Sequence, residues 1–201
     1  MAHHEQNGVI PFLQGDVVYV TDGKDCYEKG SVAVADVSFE EDRSNIVVTF
    51  AEDISQLIQE GDWLENPNRM PELIFENNIV SNCPCIRIST SQKAVIQNNV
   101  FDLNDTDIYI NDLMEFWHES GAVNDVLITD NKFISNKNRH GVNITSERKG
   151  NNIKKHKNIV IENNTFTHDA TKAIHAEMVE NLVVRNNQYE IKHREGYIRS
   201  I

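Results

Sequence analysis

One short segment of the sequence concentrates the side chains that could do chemistry. Residues 111–122 read Asn-Asp-Leu-Met-Glu-Phe-Trp-His-Glu-Ser-Gly-Ala, which brings two aromatic rings, one imidazole and three carboxylates together. Carboxylates bind sugar hydroxyls or act as general acid and base, and aromatic faces stack on sugar rings. The candidate catalytic residues are therefore Asp112 and Glu119. The candidate substrate-binding residues are Glu115, Trp117, His118 and Glu119.

A structural interpretation of the same segment stays open, because Phe116 and Trp117 could instead cover the side of the fold. Other carboxylates and histidines that could contribute are Asp105, Asp107, Asp169, Glu177, His140, His168, His175 and His193. A glycosidase needs two carboxylates at a set separation, which sequence spacing alone does not give. The histidines lack a ligand spacing such as His-Glu-x-x-His, so we interpret them as surface residues.

Neither a metal nor a cofactor is expected. The three cysteines are Cys26, Cys83 and Cys85, and the Cys-Pro-Cys motif has no second pair with which to form a zinc site. Nucleotide-binding glycine motifs and a nucleophile elbow are also missing. The basic segment 146–157 contains no aromatic residue and is interpreted as solvated surface.

The elements that must position these residues come from an internal repeat. Five segments share the pattern apolar-x-apolar-x-x-Asn-x-apolar, and aligning them places five asparagines in register: Asn78, Asn99, Asn131, Asn164 and Asn187. The spacings between them are 21, 32, 33 and 23 residues. About 22 residues per turn suits a coil of short strands, and the two longer steps carry loops.

A second short strand follows most of these motifs, with apolar and polar residues in alternation. These strands are 86–88, 108–110, 142–144, 174–176 and 197–198. Repeats that contact only their neighbours indicate a parallel β-helix, here of about five rungs over residues 69–201. Asparagine suits such a coil because it tolerates left-handed backbone angles and can bond from rung to rung. An antiparallel sandwich, the alternative fold, gives no reason for asparagines at whole-turn spacings.

Residues 1–68 do not follow the repeat. Segments 15–21, 31–37 and 45–50 alternate or run apolar with turn residues between them, which predicts a small antiparallel β-barrel-like module. The fold class is therefore all-β. Because a β-helix that begins near Leu73 exposes its first rung as an open edge, we expect a cover. That cover could be the module, a second copy of the chain in a homo-oligomer, or a partner chain.

The charge balance limits the possible partners. The 201 residues include 31 acidic and 19 basic side chains, which gives a formal charge of −12. This charge argues against a nucleic-acid or anionic-membrane partner, since both need clustered lysine and arginine. The chain has no apolar run long enough for a transmembrane helix. Residues 1–6 lack the apolar core of a signal peptide, and the compartment stays open.

The order of these features resembles glycoside hydrolase family 110. The matching segments are Gly8-Val-Ile-Pro-Phe12, Gly61-Asp-Trp-Leu-Glu-Asn66 and Phe116-Trp-His-Glu-Ser-Gly-Ala122, the last followed by another Asn-Asn rung. The resemblance covers nearly the whole chain, and its most specific part is the aromatic-Glu-Ser-Gly-Ala stretch. It implies a right-handed parallel β-helix related to usually exported enzymes that cleave terminal α-1,3-linked galactose with inversion and without a metal.

The resemblance also implies a function for this chain. It implies a carbohydrate-active protein similar to an inverting α-1,3-galactosidase, with Trp117 and Glu119 lining a pocket for terminal galactose. Family members are much longer, and the rungs that carry an acidic pair before their insert have no counterpart before Met1. We therefore expect a truncated form without those catalytic rungs. The alternatives are a non-catalytic carbohydrate-binding or structural β-helix, or a subunit that completes a site with another chain. Whether the chain is an enzyme by itself stays open.

Overall fold

The computed structural model describes residues 11–24, 28–40, 45–69, 72–89, 93–112, 122–136, 140–146, 156–167 and 173–190. These residues form strands and turns, and helical structure among them is confined to a short 3-10 helix, Pro67–Arg69. They group into two compact units, one of the described residues from 11 to 69 and one of the described residues from 72 to 190. The all-β fold class expected from the sequence is confirmed.

The first unit is an antiparallel sheet in the order β3-β2-β1-β4. Its strands are β1 (Val17–Thr21), β2 (Glu28–Phe39), β3 (Ile46–Phe50) and β4 (Trp63–Glu65). Alternating valines bury one face of this sheet, because successive side chains of a strand point to opposite faces. Val18, Val32 and Val34 form the buried centre of that face. This open half-barrel sheet confirms the predicted antiparallel module.

Asp16 holds the start of this sheet to the 3-10 helix. Its carboxylate accepts hydrogen bonds from Arg69 Nη2 at 2.5 Å and Nε at 2.9 Å, and from Asn66 Nδ2 at 2.7 Å. The backbone N–H of Leu13 donates a further bond of 2.8 Å to the same carboxylate. Only 6% of Asp16 is exposed. The bonds from the Arg69 guanidinium hold the pKa of this carboxyl well below its usual range.

The second unit is a coil of three parallel sheets, which confirms the predicted parallel β-helix. The first sheet contains β5 (Leu73–Glu76), β8 (Ala94–Gln97), β11 (Asn124–Thr129), β14 (His156–Glu162) and β17 (Val179–Arg185). The second sheet contains β6 (Ile79–Ser81), β9 (Val100–Asn104), β12 (Lys132–Asn136), β15 (Thr165–Phe166) and β18 (Gln188–Tyr189). The third sheet contains β7 (Ile86–Ile88), β10 (Ile108–Ile110), β13 (Val142–Ile144) and β16 (Ile174–Ala176). The strand predicted at residues 197–198 lies outside the described residues.

Like residues stack on like inside the coil. Ile96, Ile128 and Ile161 occupy one inward row of the first sheet and are fully buried. In the second sheet, four rings form a continuous stack of Phe101, Phe133, Phe166 and Tyr189, with centroid separations of 5.0, 4.5 and 5.5 Å. The period of the repeat thus gives every rung the same inward side chains, and the stack of rungs buries them.

The paired asparagines of the repeat divide two tasks between them. The second asparagine of each pair bonds along the coil: Asn131 Oδ1 accepts from the backbone N–H of Asn99 at 2.9 Å and from Asn99 Nδ2 at 3.0 Å. Asn131 makes the same two bonds to Asn164 Oδ1. The residue before it takes the left-handed conformation, as at Asn98 (φ 55°) and Asp130 (φ 55°). The sequence predicts that one asparagine both forms the amide ladder and takes left-handed backbone angles. In the structure, these two tasks belong to neighbouring residues.

Candidate functional site

Asp112 lies where the chain leaves the third sheet. Backbone hydrogen bonds from Asn111 N to Ile88 O (3.4 Å) and from Thr145 N to Ile110 O (3.0 Å) continue the parallel ladder one residue beyond β10. Asn111 is 1% exposed and Asp112 is fully buried. The sheet therefore fixes the backbone position of Asp112.

Ser146 holds the Asp112 carboxylate. The two residues occupy equivalent positions after β10 and β13, and Ser146 Oγ donates a hydrogen bond of 2.5 Å to Asp112 Oδ2. A hydroxyl that donates to a carboxylate makes a short, charge-assisted bond, stronger than one between neutral groups. Asp112 is thus a buried acid with an oriented carboxylate at the end of the sheet.

A polar network lies beside this pair on the same two rungs. The hydroxyl groups of Tyr109 and Thr145 are 3.0 Å apart and hydrogen bonded. Asn111 Nδ2 donates to both hydroxyl oxygens, at 3.2 Å each. An amide and two hydroxyls can exchange donor and acceptor roles, which suits recognition of a hydroxyl-rich ligand.

His156 anchors the strand end that carries Thr145. Its Nδ1 accepts a hydrogen bond from the backbone N–H of Val123 at 3.1 Å, so Nε2 carries the proton and donates to Thr145 O at 2.8 Å. The ring is fully buried. A neutral imidazole in this tautomer satisfies both contacts, which assigns His156 a structural role.

Two histidines and a glutamate form a second polar group, at β16. His175 Nε2 lies 3.1 Å from Glu177 Oε1, and the ring of His175 stacks on that of His140 with centroids 4.9 Å apart. The His175 and Glu177 side chains are 38% and 60% exposed. His140 and His175 therefore lie side by side, and His168 and His193 lie outside the described residues.

The structure describes only part of the predicted site. The position of Asp112 is described above. The other residues predicted in this segment lie outside the described residues, so their roles stay predictions: Glu115, Phe116, Trp117, His118 and Glu119. Asp105 is exposed in the turn before β10. Asp107 is fully buried in that turn, at the opposite end of β10 from Asp112. Asp169 is also outside the described residues.

Four residues of this site are not among those that the sequence predicts: Ser146, Tyr109, Asn111 and Thr145. The interpretation of segment 146–157 as solvated surface is wrong at both ends that the structure describes: Ser146 is half-buried and bonded to Asp112, and His156 is fully buried. Aligning the strand ends Ile110-Asn-Asp112 and Ile144-Thr-Ser146 would have placed Ser146 beside Asp112, because parallel strands in register bring equivalent positions together.

Two features are absent from the described part of the chain, a group of metal-binding side chains and a membrane-spanning helix. Nowhere in it do three His, Cys, Asp or Glu side chains come together in a way that could hold a metal ion. A helix with the length and apolar character needed to span a membrane is not found among the described residues.

The stacked parallel sheets and a polar strand end define a solenoid protein with a candidate site on its side. The sequence model of the right-handed β-helix region matches residues 36–188. The chain therefore belongs to the right-handed β-helix family, so the coil is right-handed.

Curated relatives give a more specific comparison than the fold family. The chain is 28% identical to alpha-1,3-galactosidase B of Akkermansia muciniphila over 92% of its own length and 25% of that protein. It is 29% identical to alpha-1,3-galactosidase A of Bacteroides thetaiotaomicron, over 92% of this chain and 34% of the relative. The corresponding enzyme of Bacteroides fragilis is 30% identical over 92% and 32%. The predicted resemblance to family 110 is confirmed, and the chain spans about a quarter to a third of these relatives.

Proposed function

We propose that this chain is a carbohydrate-active β-helix that recognises saccharides ending in galactose. The observation that carries the proposal is the buried Asp112, which Ser146 orients at a sheet end directly before the segment 113–121. An oriented carboxylate is a strong acceptor for sugar hydroxyls. The relatives named alpha-1,3-galactosidase support a galactoside as the ligand.

Hydrolysis is the first form of this proposal. An inverting glycosidase uses one carboxyl group as general acid and a second as the base that activates water. Asp112 is one candidate, and Glu119 is the second on the basis of sequence.

Binding without turnover is the second form. Asp112 has no exposed surface and one of its oxygens is bonded to Ser146, which does not suit a group that must exchange protons with water during hydrolysis. The chain also spans at most about a third of the galactosidases that it matches. In the binding form of the proposal, the galactose binds at the strand end that carries Asp112. Any hydrolysis then requires another polypeptide segment or a partner chain.

Galactose release and galactose binding distinguish the two forms. The purified chain is incubated with an α-1,3-linked galactosyl disaccharide, together with the variants Asp112→Asn and Glu119→Gln. Asp105→Asn serves as a control, because it removes an exposed carboxylate at the other end of β10. Release that Asp112→Asn or Glu119→Gln abolishes and Asp105→Asn retains establishes hydrolysis by this chain.

Binding is measured by calorimetry on the same samples. Affinity for the disaccharide without release, weakened by Asp112→Asn, establishes the binding form. A folded chain that neither binds nor cleaves the disaccharide contradicts the proposed function in both forms.

A further inference from the structure

The two end rungs of the described coil present apolar residues whose counterparts on inner rungs are buried. The first rung contains β5, β6 and β7, and the last rung contains β17 and β18. Val184 pairs in register with the fully buried Ile161, yet Val184 is 43% exposed. Tyr189 ends the ring stack and is 45% exposed. At the opposite end, Phe75 and Val80 begin the same two rows and are only half-buried.

The asparagine ladder ends in complementary hydrogen-bonding groups. On inner rungs the backbone N–H and Nδ2 of one asparagine donate to Oδ1 of the next, as Asn164 does to Asn187 at 2.9 and 3.1 Å. Among the described residues, the backbone N–H of Asn187 donates no hydrogen bond, and Nδ2 donates only to Ile161 O. At the other end, Asn78 Oδ1 accepts none within the same part of the chain. One end therefore offers donors and the other offers an acceptor.

One row of the first sheet carries opposite charges at its two ends. Glu76 on β5 begins the row and Arg185 on β17 ends it, with Gln97, Thr129 and Glu162 between them. Neighbours in this row bond to each other: Gln97 Nε2 donates to Glu76 Oε2, and Arg185 Nε donates to Glu162 Oε2, at 2.5 Å each. Both end side chains are exposed. A carboxylate placed one strand beyond β17 in this row would lie beside Arg185.

A second copy of the chain supplies every group that the last rung lacks. When β5 of the second copy continues the first sheet beyond β17 in the register of the inner rungs, its Glu76 lies beside Arg185. The same placement brings Asn78 Oδ1 of the second copy to the free donors of Asn187. It also sets the apolar rows of the two copies end to end. One register satisfies all three requirements because the repeat fixes these rows relative to one another.

We propose that copies of this chain associate head to tail, with the last rung of one copy on the first rung of the next. β5 and β17 are the two edge strands of the first sheet, and an edge strand carries backbone groups that can pair with a further strand. The contact joins two different faces, so each added copy leaves its own last rung available. Association is therefore open-ended. The inference does not depend on saccharide recognition.

Sedimentation velocity of the full chain over a wide range of concentrations provides the test. The weight-average mass is expected to rise with concentration and to pass the mass of a dimer. Arg185→Glu and Glu76→Arg should each weaken the association constant about tenfold or more, because like charges then face each other across the contact. Lys132→Glu is the matched charge reversal on an inner rung, at an exposed position of β12, and should leave association unchanged.

Mixing the two end variants separates the contact from an effect on folding. In an equimolar mixture of Arg185→Glu and Glu76→Arg, every contact between unlike variants joins a carboxylate and a guanidinium. The mixture should therefore regain most of the association that each variant has lost. A change in the fold of either variant would not be repaired by mixing, and thermal melts of each variant verify that the coil is folded.

Three results would overturn the proposal. The first is a chain that stays monomeric at every concentration, as expected if residues 1–68 or a different polypeptide cover the first rung. The second is association that stops at a dimer, because a face that pairs with itself closes after two copies. The third is association that the end variants do not weaken, or that their mixture does not restore. Galactoside binding bears on none of these results, so the proposed function stands or falls separately.

Discussion

Asn131 receives two hydrogen bonds from Asn99, one from the backbone and one from the side chain, and both are formed out of reach of solvent. The Asn131 amide also donates to Ile96 O at 2.8 Å and to Asn164 Oδ1 at 3.0 Å. A single side chain therefore satisfies polar groups on three rungs. This arrangement explains why the repeat specifies asparagine rather than any turn-forming residue, since a short amide side chain offers an acceptor oxygen and a donor nitrogen together.

Asn131→Ala is expected to destabilise the coil strongly. The substitution leaves two donors of Asn99 and three acceptor oxygens, those of Ile96, Thr129 and Asn164, without this partner. Each buried unsatisfied group costs about 1–3 kcal/mol. We expect the free energy of unfolding in urea to fall by about 3 kcal/mol or more. Asn78→Ala is the control on the first rung, where the side chain donates to Asn99 Oδ1 but is only half-buried. Equal losses at Asn131 and Asn78 would contradict the ladder as the source of stability.

Phe133→Ala is expected to be the most destabilising change in the ring stack. The Phe133 side chain is fully buried between Phe101 and Phe166, with centroids 5.0 and 4.5 Å away. Truncating a buried phenylalanine leaves a cavity and costs about 3–5 kcal/mol, which lowers the melting temperature of a chain this size by about 10 °C. Tyr189→Ala ends the same stack at a residue that is 45% exposed, and should cost far less. A melting temperature equally low in both variants would argue against cumulative stacking.

The coil could be predicted from the sequence because every repeat carries the residues that set the strand register. Asn99 and Asn131 must align for the ladder to form, so their spacing also aligns the strands on either side. The inward rings follow at a fixed offset, as Phe101 and Phe133 show. A fold that repeats one local unit needs only local pattern and neighbour contacts, both of which a single sequence contains.

The candidate site was less predictable for a physical reason. The contact between Asp112 and Ser146 depends on two strand ends 34 residues apart, and the loops that follow them differ in sequence and charge. Composition alone made the Ser146 segment look like solvated surface. Likewise, Asp107 was one acidic residue among many in the sequence, and only the packing of its turn shows that it is buried.

Asp107 should make the coil less stable as the pH rises from about 4 to about 7. Burial raises the pKa of the Asp107 carboxyl to about 7, against the hydrogen bond from Asn104 Nδ2, and the nearby Asp102 adds to the increase. The folded state therefore holds this proton where the unfolded chain, with a pKa near 3.8, releases it. By linkage the free energy of unfolding falls from about pH 4 to about pH 7, by a few kcal/mol in total, and the Asp107 contribution is constant above that range.

Asp107→Asn tests this dependence, because the amide is neutral at every pH. The variant should unfold at a higher urea concentration than the wild type at pH 8 and at a similar concentration at pH 4. Asp105→Asn, at an exposed position in the same turn, should leave the pH profile unchanged. Parallel profiles for the wild type and Asp107→Asn would show that the carboxyl titrates normally.

Asp16 should have the opposite pH dependence in the antiparallel unit. The Arg69 hydrogen bonds lower the pKa of the Asp16 carboxyl in the folded state, so the stabilisation is fully present above about pH 4 and is lost as the pH falls below it. Asp16→Asn is expected to cost about 2 kcal/mol at pH 7, a value reduced for the partial exposure of Arg69, and much less at pH 3. Thermal melts at both pH values measure the difference, with the exposed Asp36→Asn on β2 as control. A deficit that does not change with pH would exclude the ion pair as its cause.

Ser146→Ala examines the orientation of the Asp112 carboxylate without removing the carboxylate itself. The substitution deletes the 2.5 Å hydrogen bond to Asp112 Oδ2 at a half-buried position. Because a hydrogen bond to a charged group contributes about 1.5–3 kcal/mol, galactoside affinity should fall about tenfold or more as the carboxylate loses its preferred orientation. Ser146→Thr retains the hydroxyl and should restore most of the affinity, whereas the melting temperature should differ little between the two variants. Calorimetry with the α-1,3-linked disaccharide decides the question: equal affinity in Ser146→Ala and the wild type would mean that Asp112 does not contact the sugar, or needs no help to do so.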